Sequence, residues 1–267
     1  MNDRVKVTID DGIADVRLTR GDKMNALDDA MFDGIIEAGE RLKTERGVRC
    51  VVLSGEGRAF CAGLDMGNFQ RMGARDPERS AVGRLSKRTN GIANRPQYAA
   101  WVWREVPVPV IAAVHGVAFG GGFQVMLGAD MRYATPDAKL SIMEIKWGLV
   151  PDMAGTQLLR HLVRDDIVRE LTYTGRVFTA EEGQRLGIIT RISDNPLEDA
   201  LETAFEIANK SPDAIRAAKR LLNKTPFAPI ADGLMMESVE QEALGGKPNQ
   251  IESVMANLEK RPPKFTD

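Results

Sequence analysis

Histidine and cysteine are nearly missing from this chain, with two of each in 267 residues. Cys50, Cys61, His115 and His161 stand far apart in the sequence. They give no zinc-ligand spacing, so no metal site is expected. Lone thiols, one of them in an apolar strand-like run around Cys50, exclude a disulfide scaffold and suit a reducing compartment. Charge of one sign is also lacking. A net charge of −2 gives no electrostatic reason to expect a nucleic acid or an acidic membrane surface as partner. No apolar run approaches the ~20 residues that span a bilayer. The start, Met1-Asn2-Asp3-Arg4-Val5-Lys6, lacks the apolar core of a secretory signal, so a cytoplasmic protein is expected. What remains is ordinary for a globular enzyme or binding protein: 43% apolar and 28% charged residues.

The hydropathy pattern reads as mixed α/β followed by helices alone. Val5–Ile9 and Ile13–Leu18 alternate around Asp10-Asp11-Gly12, which predicts a hairpin. Asp29 to about Lys43 carries Met31, Ile35, Ala38 and Leu42 on one helical stripe. Val48–Leu53 is nearly continuous in apolar residues, as a strand covered on both faces should be. Residues 66–95 are the least periodic, and mobile helices or a lid are expected there. Gln97–Arg104 reads as a helix, and Val110–Val114, Met131–Ala134 and Ile188–Ile192 as strands. Thr179 with Glu182 marks a helix start that Gly187 closes. Beyond Pro196 no strand pattern appears, and helices are expected at about 197–209, 212–223, 229–244 and 247–259. The expected division is a core over residues 1–195 and a helical region over 196–267.

Three constellations carry chemical meaning. Ala59-Phe60-Cys61-Ala62-Gly63-Leu64-Asp65 follows a buried strand, and Gly63 permits a turn that swings the next N–H outward. A plain strand-to-helix turn is the competing reading. Gly120-Gly121-Gly122 costs about 0.5–1 kcal/mol per glycine within a helix, so a positive φ or a close backbone approach must require it. The apolar run after it suits a helix start that offers bare N–H groups to an anion; a flexible turn is the alternative. The glycine spacing from Gly116 does not match a dinucleotide fingerprint. Glu144 and Asp152 are acids in apolar company, among Ile142, Met143, Ile145, Trp147, Leu149, Val150 and Met153. Either they are proton-transfer groups in a partly dry site, or they are surface acids, with Glu144 paired to Lys146 or Arg160. His115 reads as a hydrogen-bonded core residue, His161 as a surface residue, and Lys23 and Lys264 as solvated cations.

In their joint order these pieces resemble the crotonase superfamily, the enoyl-CoA hydratase/isomerase family. The residues that carry the likeness are Lys23-Met24-Asn25-Ala26-Leu27, Ala59 to Asp65, Ile111 to Gly116 with Gly120-Gly121-Gly122, Gly148-Leu149-Val150-Pro151, Gly155-Thr156-Gln157, Leu171 to Arg176, and Ala180 with Gly187. The resemblance implies a spiral of ββα units with a helical C-terminal trimerisation region, assembled as a homotrimer or a dimer of trimers. It implies an acyl-CoA thioester as substrate, with coenzyme A entering as part of that substrate and no separate cofactor. It makes the Leu64 and Gly121 amides an oxyanion hole for the thioester oxygen. It puts Lys23, Ala26, Ala62 and Leu64 along the CoA path, and Lys264 and Phe265 against CoA held by a neighbouring subunit.

The same likeness implies catalytic roles for Glu144 and Asp152, the latter where dienoyl-CoA isomerases of the family carry a catalytic aspartate. Hydratases of the family carry a glutamate where this chain has Gln124, and those isomerases usually an aspartate. A glutamine cannot exchange a proton at neutral pH, although it can orient a water or a substrate. The leading expectation is therefore an isomerase that shifts a double bond in an enoyl- or dienoyl-CoA. A hydratase using Glu144 alone, or a non-catalytic acyl-CoA-binding protein, are the alternatives.

Overall fold

A computed structural model describes residues 3–67 and 85–267. Most of the aperiodic stretch in which a lid is expected, residues 68–84, lies outside the described residues. Among the described residues nine strands form two sheets. The larger takes β1 (Val5–Asp10), β2 (Ile13–Leu18), β3 (Cys50–Gly55), β4 (Val110–Val114), β6 (Met131–Ala134) and β9 (Arg191–Ile192), in that order across the sheet. The smaller takes β5 (Val117–Phe119), β7 (Lys139–Ser141) and β8 (Phe178–Thr179). β4 runs on into β5 and β6 into β7, so from β4 to β7 successive strands alternate between the sheets. That is the expected spiral.

The first hairpin forms as its alternation predicts. Asp11 and Gly12 both take positive φ, 45° and 79°, and join β1 to β2 in register. A two-residue turn of that hand matches the twist of the strands it connects. Ala14, Val16 and Leu18 point into the core. Helix α1 (Asp29–Thr44) starts where the Asp28 carboxylate accepts the Met31 N–H at 2.8 Å, and it buries Met31, Ile35, Ala38 and Leu42. β3 is buried on both faces. Val51 and Leu53 join the main core, while Cys50 and Val52 join a second cluster with Ile111, Ala113 and Tyr133. Both cysteines are buried free thiols.

The remaining helices are α2 (Arg95–Glu105), α3 (Gly121–Leu127), α4 (Gly155–Leu159), α5 (Asp165–Thr174), α6 (Ala180–Arg185), α7 (Pro196–Ala208), α8 (Pro212–Lys224), α9 (Ile230–Leu244) and α10 (Pro248–Leu258). The four terminal helices lie where the pattern puts them. α7 lays Ala200 and Ala204 on the second cluster and so covers the other face of the large sheet. α8 is tied to the core by Lys219. Its buried ammonium donates to the carbonyls of Trp103 (3.1 Å) and Val108 (2.8 Å) and to the Asp130 carboxylate (2.8 Å). Burial lowers the Lys219 pKa, and the Asp130 charge opposes that shift. Among the described residues no helix is long and apolar enough to cross a membrane.

Four features depart from expectation. The strand foreseen over Ile188–Ile192 is reduced to Arg191–Ile192, because the Ile188 and Ile189 N–H groups both turn to the Gly183 carbonyl, at 2.8 and 3.1 Å. The strand foreseen from Val48 begins its ladder at Cys50 and runs on to Gly55. The three-stranded sheet and α5 were not apparent from periodicity. Strands of two or three residues show no alternation to read, and α5 buries only Leu171.

Candidate active site

The site is built on a seam where residues 61–65 lie between two other stretches of backbone. On one side, Ala62 N–H donates to Met24 O (2.9 Å), Leu27 N–H to Gly63 O (2.8 Å) and Asp65 N–H to Leu27 O (3.1 Å). On the other, Cys61 N–H donates to Val117 O (3.0 Å) and Phe119 N–H returns to Cys61 O (3.1 Å). Glycines make this approach possible. Gly63 has φ +89°, and a Cβ there would fall 2.6 Å from the Phe119 oxygen and 3.7 Å from the Gly121 nitrogen. A Cβ on Gly122 would meet the Cys61 carbonyl oxygen at 2.4 Å, and one on Gly121 would meet Leu27 and Met153 side-chain atoms at 2.8 Å. The three glycines of the triplet answer to different needs: a φ of +50° at Gly120, crowding by the Leu27 and Met153 side chains at Gly121, and close backbone approach at Gly122.

The Leu64 and Gly121 amides sit on either side of this seam. Gly121 is the first residue of α3, so its N–H has no partner within the helix. Among the described residues, neither the Leu64 nor the Gly121 N–H has a protein acceptor. The Leu64 loop is braced from below: Arg20 donates to Asp65 at 2.7 Å and to the Ala26 carbonyl at 3.0 Å.

Glu144 opens a single 3-10 turn (Glu144–Trp147), and its carboxylate lies against Gly120, where a Cβ would come within 3.4 Å of Oε1. Glu144 is 9% exposed. Gln124 is buried beside it, and both ends of its amide are hydrogen-bonded. Oε1 accepts the Met153 and Gly155 N–H groups, both at 2.9 Å, and Nε2 donates to Glu144 Oε1 at 2.6 Å. The two N–H donors fix which end of the amide is oxygen, so Gln124 must offer an N–H to the carboxylate. The other oxygen, Glu144 Oε2, is buried with no hydrogen-bond partner among the described residues. Burial raises the Glu144 pKa, the Gln124 bond partly offsets this, and the Asp152 charge adds to the rise. The ion pair with Lys146 or Arg160 that the sequence left open is not formed among the described residues.

Asp152 precedes the turn that Gln124 holds. Ala154 in that turn takes a left-handed φ of 67°. Asp152 is open to a cavity of about 500 Å³, whose walls include Ile92, Trp101, Ala154, Thr156 and Phe227. The residue is exposed, and partial desolvation still raises its pKa. Glu144, Leu64 and Gly121 do not line this cavity. The path between it and the seam runs from Asp152's turn through Gln124 to Glu144.

The other expected site residues divide into two groups. Lys23 (exposed) with Ala26, Ala62 and Leu64 (half-buried) lies along the seam, on adjacent segments. Lys264 and Phe265 lie apart from it. The Phe265 carbonyl accepts from Arg49, at the start of β3, whereas the seam follows that strand's far end. The tail is held on α10, where Lys264 N–H donates to Glu252 at 2.6 Å. His115 Nε2 is bonded to Gly57 O at 2.9 Å as expected, but the residue is half-buried rather than in the core, and His161 is exposed, as its sequence context indicated. The sequence missed the inward lock on Gln124 and the role of Phe227 as a cavity wall; an isolated phenylalanine between helices carries no periodic signal.

Comparison with known proteins gives the site a context. A family model described as enoyl-CoA hydratase/isomerase matches residues 8–267. Mouse mitochondrial methylglutaconyl-CoA hydratase is 29% identical over 95% of this chain and 79% of its own length. The mitochondrial Delta(3,5)-Delta(2,4)-dienoyl-CoA isomerase of Dictyostelium discoideum is 28% identical over 95% of this chain and 87% of its own. The crystal structure of an enoyl-CoA hydratase from Bacillus anthracis superposes with a TM-score of 0.88 at 28% identity, covering 98% of both chains.

Proposed function

Because the chain belongs to the enoyl-CoA hydratase/isomerase family, we propose that it is an isomerase that shifts a double bond in an enoyl- or dienoyl-CoA. The observation that carries this reading is the Gln124 lock. An amide whose oxygen takes two N–H groups and whose nitrogen serves Glu144 is poorly placed to hold an attacking water. That weighs against addition of water and leaves two carboxylates, Glu144 and Asp152, as the proton-transfer groups.

In this mechanism Glu144 Oε2 takes a proton from the carbon next to the thioester. The electron pair moves into the thioester carbonyl, and the resulting oxyanion accepts the Leu64 and Gly121 N–H groups. Losing one such donor in comparable sites costs about 2.7–4 kcal/mol of transition-state stabilisation. Protonated Asp152 then gives its proton to the far end of the conjugated system, and the thioester carbonyl re-forms. One proton leaves and one returns, with no net oxidation. Burial raises the pKa of both acids, the direction that suits a proton-transfer group. Lys23, Ala26, Ala62 and Leu64 would follow the CoA moiety.

Assembly as a homotrimer or a dimer of trimers belongs to the same reading. α9 and α10 expose Ile230, Leu234, Met235, Val239 and Leu258, more apolar surface than a lone helix pair keeps in water. Such an assembly would bring Lys264 and Phe265 to a neighbour's CoA.

The test is a mass-spectrometric screen of enoyl- and dienoyl-CoA esters in heavy-oxygen water. Rearranged products of unchanged mass are expected. A 3-hydroxyacyl product carrying solvent oxygen would replace this reading with single-glutamate hydration.

A further inference from the structure

Asn25 lies against the seam, fully buried, and takes no part in the proton transfers. With Met24 it forms a left-handed pair, at φ of 50° and 53°. Backbone of that hand is strained for most side chains and least so for asparagine, and it persists only where the surroundings hold it. Here they do. Asn25 Oδ1 accepts the Arg20 N–H at 2.9 Å, and Nδ2 donates to the carbonyls of Glu56 (3.0 Å) and Ala59 (2.9 Å). One N–H donor and two carbonyl acceptors fix which end of the amide is oxygen. The backbone of Asn25 is engaged as well: its N–H donates to Arg20 O at 2.9 Å, and its carbonyl accepts the Cys61 thiol at 3.1 Å.

One short side chain therefore joins the loop that leaves β2, the turn that follows β3, and the start of the seam. Few residue types could do so. Aspartate offers no donor and serine only one, and glutamine is a methylene too long for a space in which a Cβ on Gly55 would already fall 2.7 Å from Nδ2. The Leu64 amide hangs from this frame. Met24 O holds Ala62 N–H, and Leu27 bonds to the residues on both sides of Leu64. The position of residues 24–27 thus sets where the Leu64 N–H sits and where it points. The Arg20 brace on Asp65 shares the same anchor, because it springs from the residue whose N–H Asn25 holds.

We propose that Asn25 is a positioning residue for the oxyanion hole: by stapling the 20–27 loop to the 56–59 turn, it aims the Leu64 N–H at the thioester oxygen. This rests on the Leu64 and Gly121 reading above and extends it to a residue too buried to meet the substrate. A donor displaced by about 1 Å costs about 10²-fold in rate. Binding of the ester is spread over many contacts and changes less. Loss of the Asn25 amide should therefore weaken polarisation of the carbonyl far more than it weakens affinity.

The probe is butyryl-CoA, isotope-labelled at the thioester carbonyl and without a double bond to move. Infrared difference spectra read how far its carbonyl stretch falls on binding, which reports the hydrogen bonds to that oxygen. Asn25→Gly removes the amide and tolerates the left-handed φ. It should lose about half of the wild-type shift or more, with butyryl-CoA affinity by calorimetry within about threefold. Tyr98→Phe is the control. Tyr98 ties α2 to Glu40 of α1, away from the seam, so its loss should lower the melting temperature and leave the shift whole. A full shift in folded Asn25→Gly, or an equal loss in Tyr98→Phe, would overturn the positioning role alone. A wild type that binds the ester with no shift would overturn the Leu64 and Gly121 reading, and one that fails to bind it the acyl-CoA reading, each taking this proposal with it. If melts show Asn25→Gly unfolded, Asn25→Ser, which keeps one donor, takes its place. Unfolding of both would assign Asn25 to stability and overturn the proposal.

Discussion

In the proposed mechanism the seam at residues 61–65 and the acid pair at Glu144 and Asp152 are two halves of one site made from different materials. The seam is main chain: its donors are amides, and its accuracy comes from glycines that let three backbones touch. The acid half is side chain: its donors and acceptors belong to Gln124, Glu144 and Asp152, and its shape depends on one amide facing the right way. A backbone device holds a thioester oxygen whatever reaction follows, so it fits a whole family. The side chains beneath select the reaction. The split among the relatives, a hydratase and an isomerase at nearly equal identity, is what that division of labour produces.

Substitutions can break the two halves separately. The largest effect is expected from Glu144→Gln, which keeps an acceptor for Gln124 and removes the base. Turnover should fall by about 10³-fold or more, with CoA-ester affinity by calorimetry little changed. Next is Gly122→Ala, on the backbone side. Its Cβ would collide with the Cys61 carbonyl at 2.4 Å, and backbone cannot rotate aside as a rotamer does. A loss of about 3 kcal/mol in urea unfolding is expected, with binding and turnover falling together.

Gln124→Met should cost less, about 2 kcal/mol, for leaving the Met153 and Gly155 N–H groups unpaired. It also sharpens the comparison. The Gln124 bond lowers the Glu144 pKa against the rise from burial, so its loss should move the acid limb of kcat/KM to higher pH. An unmoved limb would detach Gln124 from the base. The smallest effect is on stability. A carboxylate whose folded pKa is raised holds its proton more tightly in the folded state. It therefore favours folding least once the pH has risen through that pKa. Glu144→Gln should then melt above the wild type at neutral pH, and the gap should close as the pH falls below the ordinary carboxylate range.

The sequence carries the backbone half more fully than the other. Gly63 and the triplet at 120–122 mark a positive φ or a tight approach, both of which occur there, and the hairpin, α1, β4 and the terminal helices follow from hydropathy period and caps. The acid half was legible only as residue types. Nothing in the letters around Gln124 shows that its oxygen faces the 152–155 turn, a contact made across about thirty residues by folding alone. The small sheet escaped for another reason: β5, β7 and β8 are set by neighbouring strands and are too short to have a pattern of their own. Phe227 acquires its place only when α8, fixed by Lys219, brings the following turn over α2.

That the Leu64 and Gly121 N–H groups belong to the polypeptide itself has a practical consequence. Every one of the twenty amino acids except proline supplies the same atom at position 64, so alanine scanning and saturation libraries will score that position by its side chain and pass over the amide that the proposed mechanism uses. Only chemical synthesis or ribosomal incorporation of a hydroxy acid, exchanging the amide for an ester, removes the donor and leaves the side chain in place.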